Sequence, residues 1–516
     1  MVDIGGSALS NRAMMAPWPE RRLSDLARGF ERRGEDPVIT GLSEDSRRIV
    51  PGMLFVAVRG SSLDGHEFIA DAIRRGASAV AAERLDGIPE HVPALLVASG
   101  RRALGIFSER FFGEPRRELT LIGFTGTFGK TSTSDVLRRL LSAAGMPAGV
   151  IGSLGARYQD FHDPGSGLTT PAPPELHRML RDLRSSGAET VIMEVTSHAL
   201  RLERAVGLRF DGGLIAAIKS GEHTDFHGTF EEYLAAKRTF LDYLTDAALL
   251  AYDADNDAST GLAKGASTTR TVGFSIEGRQ TELIFREVVL DRHGASFALA
   301  GPLAGSGGIL RSTLLGVGHL RNVALALTYA LSSGVPISTA SEILSTLEPL
   351  ARRMERYDAA GRTVLDDTAA HPESLRATFE VAALLAGRRM DRAAVVYAVR
   401  GMRGTGINQR NADALAQLTS DYGISRLMLT AAADAAGPHD RVRGEEADAA
   451  RQTLLRRGFA FAWHDALRDA LEAALAATSR GDLVVLVGAQ GMNAARSMLT
   501  SDVTGRASEP SPSSRS

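Results

Sequence analysis

The segment LTLIGFTGTFGKTSTSDVLRRLL, residues 119–141, carries the clearest chemistry in the sequence. An apolar run leads into a glycine-rich turn, Gly126-Thr127-Phe128-Gly129, and Lys130-Thr131-Ser132 then open a helical pattern. Backbone N–H groups of such a turn, with the N-terminus of the helix, make a cradle for an anion. Lys130 adds a point charge suited to the β- and γ-phosphates of a nucleoside triphosphate, and the Thr131 hydroxyl suits a Mg²⁺ ion beside them. The string is not the strict G-x-x-x-x-G-K-[ST] pattern, because Phe124 stands at its first glycine; its core is Thr-Gly-Thr-x-Gly-Lys-Thr. The spacing predicts an ATP or GTP site.

Lysine is scarce elsewhere. Of 59 basic residues only Lys130, Lys219, Lys237 and Lys264 are lysine; the rest are arginine. Arginine stays protonated and presents a planar fork, whereas a lysine amine is a compact charge that can be neutralised and modified. Each surviving lysine is therefore a candidate for chemistry that arginine cannot do. With no cysteine there is no disulfide framework, thiolate metal site or cysteine nucleophile. A net charge of -2 argues against a nucleic-acid partner, since phosphate backbones recruit basic faces. Apolar runs stay short of the ~18 residues of a membrane span, and the first residues lack a signal-peptide layout. The expectation is a soluble, cytoplasmic protein acting on small molecules, without membrane or nucleic-acid partners.

These residues need elements to hold them. Short apolar runs at 53–60, 119–126, 190–195, 393–401, 427–430 and 483–488 read as strands, several apolar almost throughout, as in parallel sheets covered on both faces. They alternate with helical patterns such as ESLRATFEVAALLAG and ALRDALEAALAATS, which predicts an α/β fold with mainly parallel sheets. Boundaries near Gly113-Glu114-Pro115 and Pro349 divide the chain into a flexible extension (1–20), three domains (21–115, 116–350 and 351–503) and a polar Ser/Pro tail (504–516) expected to be disordered.

With its surroundings, the Thr-Gly-Thr-x-Gly-Lys-Thr string resembles the Mur ligases, ATP-dependent amide-forming enzymes of cell-wall precursor synthesis. Within them it is most similar to the type that adds the third residue to a UDP-N-acetylmuramoyl dipeptide. The N-terminal stretch GLSEDSRRIVPGMLFVAVRGSSLDGHEF follows that type almost position by position, and the likeness runs from about Val38 to Asn493. It implies a UDP-binding N-terminal domain, a central P-loop ATPase domain and a Rossmann-like C-terminal domain. It places Ser46, Gly60, Ser61 and Ser62 at the UDP moiety, and Thr169, Thr170, Thr196 and Arg204 on the muramyl-peptide substrate. Glu194 and His223 stand at Mg²⁺-ligand positions, and Lys237 at the position of a carbamylated lysine that holds a second Mg²⁺. From the residues alone, Glu194 ends an apolar strand, where a carboxylate is costly unless it meets water or a cation. Asn322, Arg353, Asp367 and His371 join Gly126–Ser132 as nucleotide-binding candidates, whereas His198 and His227 read as structural.

The likeness also breaks in places. Lys219 lies in an altered loop, Glu222 replaces an aspartate before His223, and His319 replaces a first asparagine near the adenine. Arg353-Met354-Glu355 keeps the hinge signature, but Arg352 stands where the family has glycine. In the last domain GMRGTGINQR, LTAAADAAGPHD and GAQGMN replace the strings that bind the incoming amino acid, the last losing its Lys, His and Glu. The expected activity is ATP-dependent ligation of an amine to a carboxylate through an acyl phosphate, on a UDP-muramyl peptide, with an altered acceptor site. The alternatives are a repurposed ligase for another carboxylate and a non-catalytic nucleotide-binding scaffold.

Overall fold

The computed structural model describes residues 18–60, 63–220, 224–266, 270–305 and 308–504. They form two compact units. The first draws on the chain up to Arg286, with Ala298–Gly308 and Arg321–Ile343; the second on Glu287–Phe297, Ile309–Leu320 and the chain from Leu344.

The first unit contains a two-stranded sheet, Arg21–Arg22 with Val38–Ile39, and two larger sheets. The smaller has five strands in the order Glu31–Arg33, Ala94–Leu96, Ala79–Ala82, Met53–Val56, Gly41–Ser43, parallel except for the first. Alternation sends Leu54 and Val56 into one buried cluster and Phe55 into another, so helices can cover both faces. In the larger sheet the parallel strands run Ala148–Gly152, Thr190–Glu194, Thr120–Thr125, Phe210–Ile215, Leu244–Asp253, Arg270–Ser275. Strand Thr120–Thr125 therefore sits between two parallel neighbours and reads as continuous apolar sequence because both its faces are covered.

The second unit is built on a six-stranded sheet, ordered Glu355–Ala359, Arg362–Asp367, Leu483–Val487, Ala394–Ala398, Arg426–Thr430, Ala462–His464, with only the first pair antiparallel. Helices Pro372–Ala386, Thr405–Asp421 and Gly444–Arg456 supply Leu375, Leu415 and Leu454 to one core. Helices Leu467–Ala477 and Ala495–Thr504 supply Leu471 and Leu499 to another. The mainly parallel α/β architecture expected from the alternation is what the chain adopts. Among the described residues no helix is long and apolar enough to cross a membrane.

One core residue works against the fold. His177, on helix Pro173–Ser185, is fully buried, and among the described residues neither ring nitrogen has a hydrogen-bond partner. Burial pushes its pKa down to about 3. The unfolded chain binds this proton near pH 6.5, so the histidine's contribution to stability falls as pH drops from about 6.5 towards 3. His177→Leu removes the two unpaired polar atoms and is expected to raise stability by about 1–3 kcal/mol. It should also flatten the acid limb of stability against pH, measured by denaturant unfolding across that range.

Candidate active site

The glycine-rich turn is shaped by two glycines that no other residue could replace without movement. Gly126 has φ +145°, and a Cβ there would lie 2.7 Å from that of Ala216; Gly129 has φ +81°, and a Cβ there would lie 2.1 Å from Asn322 Oδ1. Helix Lys130–Ala143 starts on Gly129 with no side chain capping it, leaving its first N–H groups to whatever the turn binds. Thr127, Thr131 and Ser132 are buried around it. Lys130 Nζ donates to the carbonyls of Gly126 (3.0 Å) and Thr127 (3.1 Å). Asn322 thus meets the turn.

Lys237 lies on helix Phe230–Arg238, yet it is 1% exposed. Its amine donates to the same Gly126 carbonyl at 2.9 Å and lies 4.7 Å from the centre of the Tyr233 ring. Burial first, and the Lys130 charge second, hold its pKa well below the usual lysine range. The Tyr233 hydroxyl is 3.0 Å from Thr127 Oγ1, which also accepts from the Lys219 N–H at 2.9 Å. Lys219, in the altered loop, therefore braces the turn through its backbone. Asn256 steadies that loop by bonding both the N–H and the carbonyl of Ile218 (3.1 and 3.2 Å).

Parallel pairing sets Glu194 opposite Phe124, one strand over from the turn. Its carboxylate is buried and takes the Ser153 N–H at 3.1 Å and the Ser153 hydroxyl at 3.2 Å; that hydroxyl is also 3.0 Å from Thr169 Oγ1. Thr170 Oγ1 donates to the Glu194 carbonyl (2.9 Å), accepts the Thr196 N–H (3.1 Å) and lies 3.3 Å from Thr196 Oγ1. Arg204 donates to the Thr170 carbonyl at 2.9 Å. Glu194, Thr169, Thr170, Thr196 and Arg204 therefore form one hydrogen-bonded group. Its hub, Ser153, was absent from the candidates above, because nothing in its local sequence marks it. His198 stacks on Phe226 with centroids 4.1 Å apart, and His227 lies 3.0 Å from Ser197 Oγ.

His223, Ser61 and Ser62 lie outside the described residues. Ser46 is buried in a short turn and hydrogen-bonds Asp71, and the Gly60 N–H bonds the Leu63 carbonyl at 2.8 Å. Arg353, Asp367 and His371 belong to the second unit. There Asp367 is buried with both oxygens engaged, by the Met354 N–H at 3.2 Å and the Thr378 hydroxyl at 2.8 Å. Arg353 bonds the Thr368 hydroxyl, and His371 precedes helix Pro372–Ala386 as its N-cap.

A glycine turn met by two lysines, beside a buried carboxylate ringed by hydroxyls on a parallel sheet, defines an α/β enzyme of the phosphate-loop class. The comparisons narrow this. Residues 38–112 match the Mur ligase family catalytic domain, 124–330 the Mur ligase middle domain, and 352–490 the Mur ligase glutamate ligase domain. The chain belongs to the Mur ligase family. The UDP-N-acetylmuramoyl-L-alanyl-D-glutamate–2,6-diaminopimelate ligase of Chlorobaculum tepidum is 34% identical over 75% of this chain and 78% of its own. The ligase of that name from Xanthomonas oryzae is 32% identical over 88% and 89%. Among solved structures, MurF from Acinetobacter baumannii superposes with a TM-score of 0.68 at 19% identity, covering 95% of this chain and all of that one. MurF from Thermotoga maritima, solved with ADP, gives 0.59 at 19% identity, covering 90% and 98%.

Gly152 tests the carboxylate's seat. A Cβ there would fall 2.0 Å from Glu194 Oε1. Gly152→Ala should therefore cost about 1–3 kcal/mol in denaturant unfolding, because the adjacent Ser153 holds the carboxylate where the new methyl group would go. Ser153→Ala, which keeps the backbone contact, should cost less, about 1 kcal/mol.

Proposed function

We propose that this protein is an ATP-dependent amide ligase that joins an amine to a carboxylate of a UDP-N-acetylmuramoyl peptide in cytoplasmic peptidoglycan precursor synthesis. The γ-phosphoryl group passes to the substrate carboxylate, breaking the bond to ADP and forming an acyl phosphate. The amine attacks the acyl carbon, and the tetrahedral intermediate expels phosphate and loses a proton to give the amide. Both partners in the first step are anions, so the requirement is positive charge and exclusion of water.

The observation that carries this reading is the pair of lysines on the Gly126 carbonyl. Lys130 supplies a charge at the phosphates. Lys237, buried and driven towards its neutral form, has the free amine that CO₂ capture needs. As a carbamate it would be an anion able to hold Mg²⁺, with Thr131, Glu194 and His223 as further ligands, and the metal would neutralise charge on the transferring group. A buried carboxylate and a buried amine beside one anion cradle fit that ion pair of roles. Thr169, Thr170, Thr196 and Arg204 serve the carboxylate substrate, and Ser46, Gly60, Ser61 and Ser62 serve its nucleotide end. Names of the relatives, and the ADP in the Thermotoga structure, support the choice of substrate and nucleotide.

The amine is a separate matter. GAQGMN and LTAAADAAGPHD favour an acceptor other than the diaminopimelate in the relatives' names. Phosphate release from ATP, tested with UDP-muramyl peptides against a panel of amino acids, should require both substrates and so name the acceptor. Turnover with no pair, despite ATP binding, would favour the scaffold. Lys237→Ala should lose at least about 100-fold in kcat, and added short carboxylates should restore part of it. Full activity in that variant would rule out the carbamate.

A further inference from the structure

We infer that Arg352 is a positioning residue for the acceptor side of the reaction, holding the loop Gly488–Asn493 in place from within the second unit. The inference rests on the ligase reading above.

The loop follows strand Leu483–Val487, which lies between Arg362–Asp367 and Ala394–Ala398. Those two strands lead into helices Pro372–Ala386 and Thr405–Asp421, packed in one core, whereas this strand leads into Ala495–Thr504, packed in the other. Strands whose connections leave to opposite faces open a crevice at their carboxyl ends, where α/β sheets bind their ligands. Gly488–Asn493 is one lip of that crevice. In the family this loop carries Lys, His and Glu; here it reads Gly-Ala-Gln-Gly-Met-Asn and has no charged side chain of its own.

Arg352 supplies an anchor from outside the loop. Its side chain is buried and every N–H of the guanidinium has an acceptor. Nε donates to Asp366 at 3.0 Å; Nη1 donates to the Ala489 carbonyl at 2.8 Å and Asn493 Oδ1 at 2.5 Å; Nη2 donates to the carbonyls of Gly488 at 2.5 Å and Asp367 at 3.4 Å. Three of the five bonds grip the loop, at both ends. The Arg352 N–H also donates to Glu355 at 2.9 Å, and Glu355 pairs with Arg496 just beyond the loop. On the opposite side, a Cβ on Gly488 would lie 2.8 Å from the Ala398 carbonyl, so the loop is pressed against the neighbouring strand. Arg352 adopts φ +57°, a conformation that favours glycine, at the position where the family has glycine. An arginine kept at such a position, with all five donors spent, is accounted for by what it holds.

The test uses the full chain. Arg352→Gly relieves the backbone and releases the loop but leaves Asp366 buried without its partner. Arg352→Met combined with Asp366→Leu is the safer variant, since an apolar pair can replace a buried ion pair without loss of fold. Amide hydrogen exchange should quicken about tenfold or more in 488–493 while strand Ala394–Ala398 is unchanged. With the amine that the phosphate-release panel identifies, KM for that amine should rise about tenfold, with kcat and the KM for ATP nearly constant. Arg352→Lys, which cannot fork, should fall between. A folded double variant with unchanged loop exchange overturns the inference, as does a fall in kcat with the amine KM unmoved. A wild-type chain that turns over no pair overturns the ligase reading and the acceptor role together, and the exchange data then decide only whether Arg352 holds the loop.

Discussion

Two lysine amines share one carbonyl oxygen, that of Gly126, and much of the first unit is arranged to make this tolerable. Two ammonium groups on one acceptor repel each other, and the repulsion grows as water is removed. Lys237 is the one that yields, because its helix and the Tyr233 ring exclude water while Lys130 keeps part of its side chain accessible. The carbonyl itself is available to both only because Gly126 turns at φ +145° against Ala216, where a side chain would push the strands apart. A site for two anionic substrates must store positive charge without metal-like rigidity of its own. A fixed ammonium beside an amine driven towards neutrality keeps one charge there and leaves the second group near its uncharged form.

The sheet order extends the same constraint to the carboxylate. Thr120–Thr125 feeds the turn, and its parallel neighbour Thr190–Glu194 ends level with it, so Glu194 arrives beside the cradle by register alone. A buried carboxylate needs partners. Ser153 supplies two hydrogen bonds and passes the contact to Thr169, while Thr170 fastens the Glu194 backbone to Thr196. Loops after three different strands are thereby tied to one another before any ligand is present, which is the preorganisation that transfer between anions demands.

What was legible in the sequence follows from how local each signal is. The strands at 120–125, 190–194 and 483–487 are continuous apolar runs, and the glycine turn is a string of adjacent residues, so both could be read directly. Lys237 stood out in the composition, as one of only four lysines among 59 basic residues. Ser153, Asn256 and Tyr233 were not. Each acts across 38 to 106 residues of sequence, on Glu194, Ile218 and Thr127, and a serine, an asparagine or a tyrosine in isolation carries no mark of such a partner. Asp367 illustrates the converse: a carboxylate expected from the resemblance to meet the nucleotide has both oxygens taken up by Met354 and Thr378 inside its own unit.

Asp366 shows how closely the second unit balances the same forces. Burial raises its pKa to about 6, and the Arg352 guanidinium opposes that rise without cancelling it. A carboxyl whose native pKa exceeds its unfolded value favours the fold most when protonated, and that share of stability is lost as pH rises through about 6. The pair is therefore poor as a source of stability at neutral pH, in keeping with the desolvation penalty of buried ions. Its retention is better explained by geometry. Asp366 orients the fork of Arg352 from one side so that its other edge meets the carbonyls of Gly488 and Ala489. The second unit thus spends buried charge on holding a loop, as the first spends it on holding an open amine.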